Sequence, residues 1–461
     1  MNSLTQLAPR IKTISLFALP ISMTSLVNIL ANFFAVFFVA QLGIDELAAA
    51  TLASSTHITV LVTVTAVLYA VSILISHEYS SSSTQEHPQK NIGALFQSSI
   101  LVSALLSGAA GVLLWHGDKI LTLFGQDEHL VSFTTHYFHY AACSLFPNLV
   151  AMSVGQFYLG IGNSHFGLIN ALIRLPFVLF FSYVLVLGRL DFPKMGLTGV
   201  TCANFIVNSL YCIIILMYLF FNKKLKPYLL FRQRPLFRWI LCQRILKLGI
   251  PIGVQFGAEL LVMAVMTFLL GFMGVIPLAA SQIVSQFSLL AIMLVLGLTQ
   301  ATSILISGEF AKKNLYLIKE YAQAIQTIIQ IFFVFLALIF LMFHNLFLSL
   351  FMNPADEHNQ QLKYYALVFF AISFVTMYFD AVRNSFSAIL RGVHDSQSPM
   401  KIGLLSLWCI SLPCACFFAF GLHWGAIGLQ SGFVSGFFVA SLILRIKMHR
   451  ILDNHIDIIR R

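Results

Sequence analysis

Of the 461 residues, 59% are hydrophobic and only 10% are charged, and the mean hydropathy is +0.87. Those proportions exclude a soluble globular domain, and apolar runs without alternation, such as IQIFFVFLALIFLMF at 329–343, exclude a β-barrel. The net charge of +10, from 27 Lys and Arg against 17 Asp and Glu, sits largely beside apolar runs and reads as membrane anchoring on anionic lipid, not nucleic-acid binding.

In chain order, breaks at Gly, Pro and charge predict an all-α polytopic membrane protein of twelve transmembrane helices. They fall at about 14–42, 50–76, 92–115, 130–159, 166–188, 196–221, 246–273, 279–306, 321–350, 362–390, 401–421 and 425–446. The first is longer than the core of a secretory signal and no small-residue cleavage site follows it, so it is expected to be retained. Positive loops stay on the cytoplasmic side. With the N-terminus inside, Lys119, Arg189, Lys194 and Lys363 fall outside and Arg383 within a span, which leaves 22 Lys and Arg inside. Both termini are then cytoplasmic, and a bacterial inner membrane is the expected location. The largest basic block, from Lys223 to Lys247, divides the chain into residues 1–221, a linker at 222–245 and residues 246–461.

Several chemistries lack their residues. No Walker loop, no GxGxxG after a strand, no HExxH and no serine nucleophile elbow occurs, so neither an ATP-driven pump nor an enzyme is expected, and no cofactor. Most of the seven Cys fall in spans, where a thiol acts as a small apolar side chain. Cys414 and Cys416 have no second cluster to complete a metal site. His57, His136 and His139 lie in or near spans and read as satisfied polar residues, not as pH switches.

The chain repeats itself. SILISHEY at 72–79 returns as SILISGEF at 303–310, an offset of 231 that also relates Pro20 to Pro251, Gly43 to Gly274 and Leu47-Ala48-Ala49 to Leu278-Ala279-Ala280. Further on, an offset of 232 relates Gly160, Asn163 and Ser164 to Gly392, Asp395 and Ser396, and one of 229 relates Gly196 and Gly199 to Gly425 and Gly428. Each half therefore holds six spans. An even number makes both halves enter the membrane in the same direction, which predicts two six-helix lobes about a pseudo-twofold axis with a cavity between them, an architecture of transporters.

These residues resemble a known family. The Gly-x-x-x-Leu-Ala-Ala run of each half (Gly43 to Ala49, Gly274 to Ala280), LGIPIGVQFGAEL at 248–260 and MYFDAVRNSFSAILRGVHDSQSPM at 377–400 are similar to the multidrug and toxic compound extrusion (MATE) transporters, end to end. The acids within the last two stretches resemble the NorM-like branch. The resemblance implies a multidrug exporter that works by alternating-access antiport with Na⁺ or H⁺. Its partners would be small-molecule drugs or organic cations and membrane lipids, the protein being a monomer.

The same acids stand out on physical grounds, because a carboxylate in mid-span costs a few kcal/mol and normally marks an ion or substrate path. Glu259 and Asp380 lie about 20 and 15 Å from the inner ends of their spans. Both are cation-coupling candidates, and Na⁺ would draw further oxygens from Thr376, Tyr378 or carbonyls. Their repeat counterparts are Asn28 and Asn148. Asn28, Asn32, Asn148, Asn204, Tyr378 and Gln282 are candidates for the substrate cavity, though polar groups such as these asparagines and Asn208 also serve as helix–helix glue. Arg383, three residues after Asp380, could pair with it or snorkel to the surface. Pro251, Gly249 and Gly257 around Glu259 allow a bend or close packing. Two departures from the family stand out. Ala35 occupies the place of a first-lobe acid, and Val178 and Ser182 stand where relatives carry Asn-x-x-x-Asn/Asp. The nearest alternative function is a lipid-linked oligosaccharide flippase of the same superfamily, which would favour mid-span cations, of which only Arg383 was counted.

Overall fold

The computed structural model describes residues 2–81, 88–123, 125–126, 128–228, 230, 238–349 and 360–460. The first half holds α1 (Asn2–Ala40), α2 (Ile44–Val67) with α3 (Tyr69–Ser80) as one bent span, and α4 (Pro88–Trp115). The short α5 (Gly117–Leu123) and α6 (Glu128–Ser132) follow, then α7 (Thr135–Gly160), α8 (His165–Leu187) and α9 (Leu197–Phe221). The second holds α10 (Trp239–Phe272), α11 (Val275–Ala311), α12 (Leu315–Ser349), α13 (Gln360–Gly392), α14 (Gln397–Gly421) and α15 (Gly425–Arg460). With α5 and α6 set aside, these are the twelve predicted spans. Lys223–Tyr228 of the basic linker is a 3-10 turn. Position 229 and positions 231–237 of the linker, with Arg232 and Arg234, lie outside the described residues, as does position 350 at the end of the ninth predicted span.

Among the described residues, eleven helices are long and apolar enough to cross a membrane. The twelfth, α7, has the length, 26 residues, but carries His136, His139, Asn148 and Gln156. Its surroundings explain the tolerance. α7 packs against α3, α4 and α9 and buries Ser144, Ser153 and Gln156, so protein surrounds much of it and its polar groups are spared the cost of facing hydrocarbon. In the second half α13 packs in the same way against α11, α12 and α15. The hub helix of each half is thus the place where polarity is affordable.

The chain forms two compact units, Met23–Gly257 and Met1–Ser22 with Ala258–Arg461. The divisions fall inside α1 and α10. In the first unit, the start of α10 lies close on α2: a Cβ added at Gly253 would sit 2.6 Å from the Thr63 carbonyl oxygen, and one at Gly257 2.5 Å from Thr63 Oγ1. Only glycine permits that approach. In the second unit, the start of α1 takes the corresponding place, with Ser22 Oγ donating to the Leu294 carbonyl at 3.2 Å and Gly297 packed on the same serine. Ser22 and Gly253 are counterparts at the offset of 231.

A helix contact accounts for the repeated peptide. A Cβ on Gly160, the last residue of α7, would lie 2.6 Å from Ile75 Cγ2 and 3.0 Å from the Ser72 carbonyl oxygen. On Gly392, the last residue of α13, it would lie 2.7 Å from Ile306 Cγ2 and 3.0 Å from the Ser303 carbonyl oxygen. The Ser and Ile of each SILIS copy are therefore the surface on which the hub helix ends. The next turn is kept as well: Asn163 Oδ1 accepts from the Phe166 amide at 3.3 Å and Asp395 Oδ1 from the Ser398 amide at 3.0 Å. Such side-chain acceptors satisfy the exposed donors at the start of α8 and α14.

Candidate functional site

In the second unit the hub helix places Asp380, Arg383 and Asn384 on one face, at i, i+3 and i+4, and α10 brings Glu259 to them. Arg383 is fully buried, at 0% exposure. Its Nη1 donates to Glu259 Oε1 at 2.8 Å, while Nη2 and Nε donate to Asp380 Oδ1 at 2.7 and 3.1 Å. Asn384 Nδ2 donates to the same Oδ1 at 3.0 Å. The Phe437 ring of α15 lies 5.5 Å from the guanidinium carbon, a cation–π contact that offsets part of the desolvation. Of the two alternatives for Arg383, the structure shows pairing, and with both acids at once. Two carboxylates and one guanidinium leave a formal charge of −1. All of these bonds to Asp380 converge on Oδ1, so Oδ2 remains for a proton or an ion. Asp380 and Asn384 line a small cavity with Ala291, Val295, Phe333 and Met377, with room for about one water molecule.

The first unit contains a site that sequence reading missed. Arg174, on α8, donates from Nη2 to Asn28 Oδ1 at 3.0 Å and from Nη1 to Asn208 Oδ1 at 3.1 Å. Asn28 is the counterpart of Glu259, and Asn208, at the offset of 229, is the counterpart of Phe437. Each unit thus sets an arginine against the same two repeat positions, from the hub helix in one and from α8 in the other. Arg174, one of the 22 Lys and Arg counted on the inner side, lies instead nine residues into α8, about 13 Å along the helix. The signal was available, since a mid-span arginine is as costly as a mid-span acid. One and two turns further along α8 stand the buried Val178 and Ser182, the positions where an Asn-x-x-x-Asn/Asp pair was expected.

The other candidates are not drawn into these clusters. Asn32 is exposed on α1, Asn148 is half-buried on α7 and Gln282 is exposed on α11. Asn204 Nδ2 donates to the Val200 carbonyl of its own helix at 3.0 Å, and Thr376 does the same to Ile372 at 2.9 Å. Tyr378 packs its ring 5.6 Å from that of Phe333. Ala35 is buried. His57 Nδ1 lies 3.2 Å from the Tyr137 hydroxyl, a satisfied polar contact. Among the described residues, no group of three or more His, Cys, Asp or Glu could hold a metal ion.

Twelve membrane helices in two repeated sets, each with an arginine held at the hub or beside it, define a polytopic membrane protein with a transporter fold. A family model described as MatE matches the chain twice, over residues 20–184 and 251–417, two starts separated by the same 231 residues as the peptide repeat. The chain belongs to the MatE family, as its resemblance implied. Two curated relatives bear the name probable multidrug resistance protein NorM. The one from Rhizobium meliloti is 28% identical over 90% of this chain and 88% of its own length, and the one from Agrobacterium fabrum is 28% identical over 89% and 87%. A solved structure of the Vibrio cholerae MATE transporter VcmN in the bent form has the same fold, with a TM-score of 0.84 at 16% identity over 98% of this chain and 99% of that one.

Proposed function

We propose that this protein exports lipophilic organic compounds, cations among them, in exchange for a proton that binds at the Glu259–Arg383–Asp380 triad. One observation carries the reading: a fully buried arginine bridges two membrane acids and leaves the cluster with one negative charge in excess. A single added cation neutralises it, so occupancy changes both charge and hydrogen bonding, which is what a site exposed in turn to the two faces of the membrane needs. Each charge moving inward is worth about 2.3 kcal/mol per 100 mV, roughly a fiftyfold gradient. The geometry favours H⁺ over Na⁺. A shared Na⁺ would need several oxygens around it, and the guanidinium already stands between the acids, whereas a proton adds at Asp380 Oδ2 without displacing it. The relatives' names support drug-like substrates, and the excess of Lys and Arg on one side supports an inner-membrane location with cytoplasmic termini.

Dye uptake into inverted vesicles, driven separately by a pH and a Na⁺ gradient, tests the reading. The pH gradient should drive export and Glu259→Gln should abolish it. Undiminished export by Glu259→Gln would refute the triad's role, and efflux driven by the Na⁺ gradient alone would replace H⁺ with Na⁺. Arg174 is the one observation that favours the flippase alternative, because a diphosphate seeks cations. A single mid-span guanidinium is a small counterpart for two or more phosphate charges, and movement of a labelled lipid-linked sugar across proteoliposomes would be required to prefer that reading.

A further inference from the structure

We infer that Arg174, Asn28 and Asn208 form an anion-binding subsite in the first unit, one that takes the carboxylate of an amphiphilic organic acid or zwitterion. The inference rests on the exporter reading and specifies its substrate class. A guanidinium stays charged under all physiological conditions. In mid-span it is stable only when paired or in contact with a watery cavity. Arg383 takes the first course, with two carboxylates and no exposure. Arg174 does not: its hydrogen bonds go to two neutral amide oxygens, and among the described residues no carboxylate pairs with it. It is only half-buried, and Asn28 beside it is exposed, so the pair is not sealed within the helix packing.

The hydrogen-bond bookkeeping then decides the sign of the ligand. Both asparagine oxygens are occupied by the arginine, which directs the amide nitrogens elsewhere as donors, and a guanidinium carries five N–H groups and no acceptor. What remains at Arg174 is a positive charge with N–H groups to spare, complementary to a planar oxyanion that can accept two parallel bonds. The contrast with the triad is chemical: the same repeat positions hold Glu259 and Phe437 in one unit and Asn28 and Asn208 in the other. One arginine site is net negative and the other net positive.

Binding to the purified protein in nanodiscs of phosphatidylcholine tests this with two probes, a rhodamine bearing a free carboxylate and the methyl ester of the same dye. Arg174→Gln should lower the acid-to-ester affinity ratio about tenfold or more, and Arg174→Lys should recover part of it, because charge is kept while the planar fork is lost. An unchanged ratio in Arg174→Gln overturns the subsite. If that variant fails to insert, the wild type decides: benzoate should displace the acid dye in preference to the ester, and equal displacement of both, or of neither, overturns the proposal. In a second arm, phosphatidylglycerol that abolishes the acid preference at low mole fraction would assign the arginine to a lipid headgroup, again overturning it. Export is read separately. Vesicles that bind the dyes and move neither sink the exporter reading alone, whereas gradient-driven export of the ester with no dependence of the ratio on Arg174 sinks the subsite alone.

Discussion

Neutralising the two acids of the triad singly and together separates their structural from their functional role. Glu259→Gln or Asp380→Asn takes the cluster from −1 to 0, and Arg383 keeps one carboxylate within 2.8 or 2.7 Å. The new amide oxygen still accepts from the arginine. Each single variant should therefore insert, with a loss of stability below about 1.5 kcal/mol, the lower end of the range for one hydrogen bond to a charged group, because the bond is weakened and not lost. The double variant leaves a guanidinium of 0% exposure with no counter-charge, and an orphaned buried charge costs about 3–5 kcal/mol. Its loss should thus exceed the sum of the singles, a non-additivity of about 1–2 kcal/mol or more. Replacing the arginine as well, in Glu259→Gln/Asp380→Asn/Arg383→Met, should recover most of the stability and none of the transport. The assay is the midpoint of thermal aggregation of detergent-purified variants, with dye efflux as the second readout. A double variant as stable as either single one would refute the view that Arg383 needs a carboxylate, and single variants that fail to insert would refute the view that one suffices.

Three further outcomes follow from the geometry. Gly160→Ala and Gly392→Ala should each destabilise by about 1–3 kcal/mol, and by similar amounts, since the added Cβ meets Ile75 and Ile306 at 2.6 and 2.7 Å; a thermal midpoint that moves for only one of them would show that the two contacts are not equivalent. Glu320→Gln should cost less than about 1 kcal/mol despite its 2.9 Å pair with Arg10, because the arginine is one-third exposed; the same thermal assay checks it. Expressed in a bacterium without its own drug pumps, the protein should lower the accumulation of several lipophilic cationic dyes such as ethidium, and unchanged accumulation with the protein in the membrane would count against the exporter reading.

The fold was legible because its signals are redundant. Twelve apolar runs, an alternating excess of Lys and Arg and a repeat at 231 residues all depend on the same architecture, so an error in one is corrected by the others. The weakest run, α7, was still found at 130–159 from its breaks, although His136, His139, Asn148 and Gln156 lower its hydropathy. The acids of the site were legible for an equally physical reason, since Glu259 and Asp380 have no business in mid-span unless something compensates them. What compensates them was only half visible. Spacing put Arg383 within reach of Asp380, three residues away, but the link to Glu259 joins positions 124 residues apart and needs the packing of α10 on α13.

Arg174 was lost for a different reason, and it shows the limit of reasoning by repeat. Counterpart positions carry Asn28 against Glu259, Asn148 against Asp380 and Ala151 against Arg383, a comparison that leaves the first unit without a charge at any of the three. Duplication preserves backbone position, because glycine contacts and caps such as Gly160 with Ser72 and Asn163 with Phe166 tolerate little change. It does not preserve which helix supplies a long side chain. An arginine reaches several ångströms beyond its Cα, so α8 can deliver a guanidinium to the place that α13 serves in the other unit, and no comparison of aligned positions will register the exchange. The charge of the first unit was therefore not abandoned but inverted, and a count of mid-span cations made helix by helix, ahead of any alignment of the halves, would have found it.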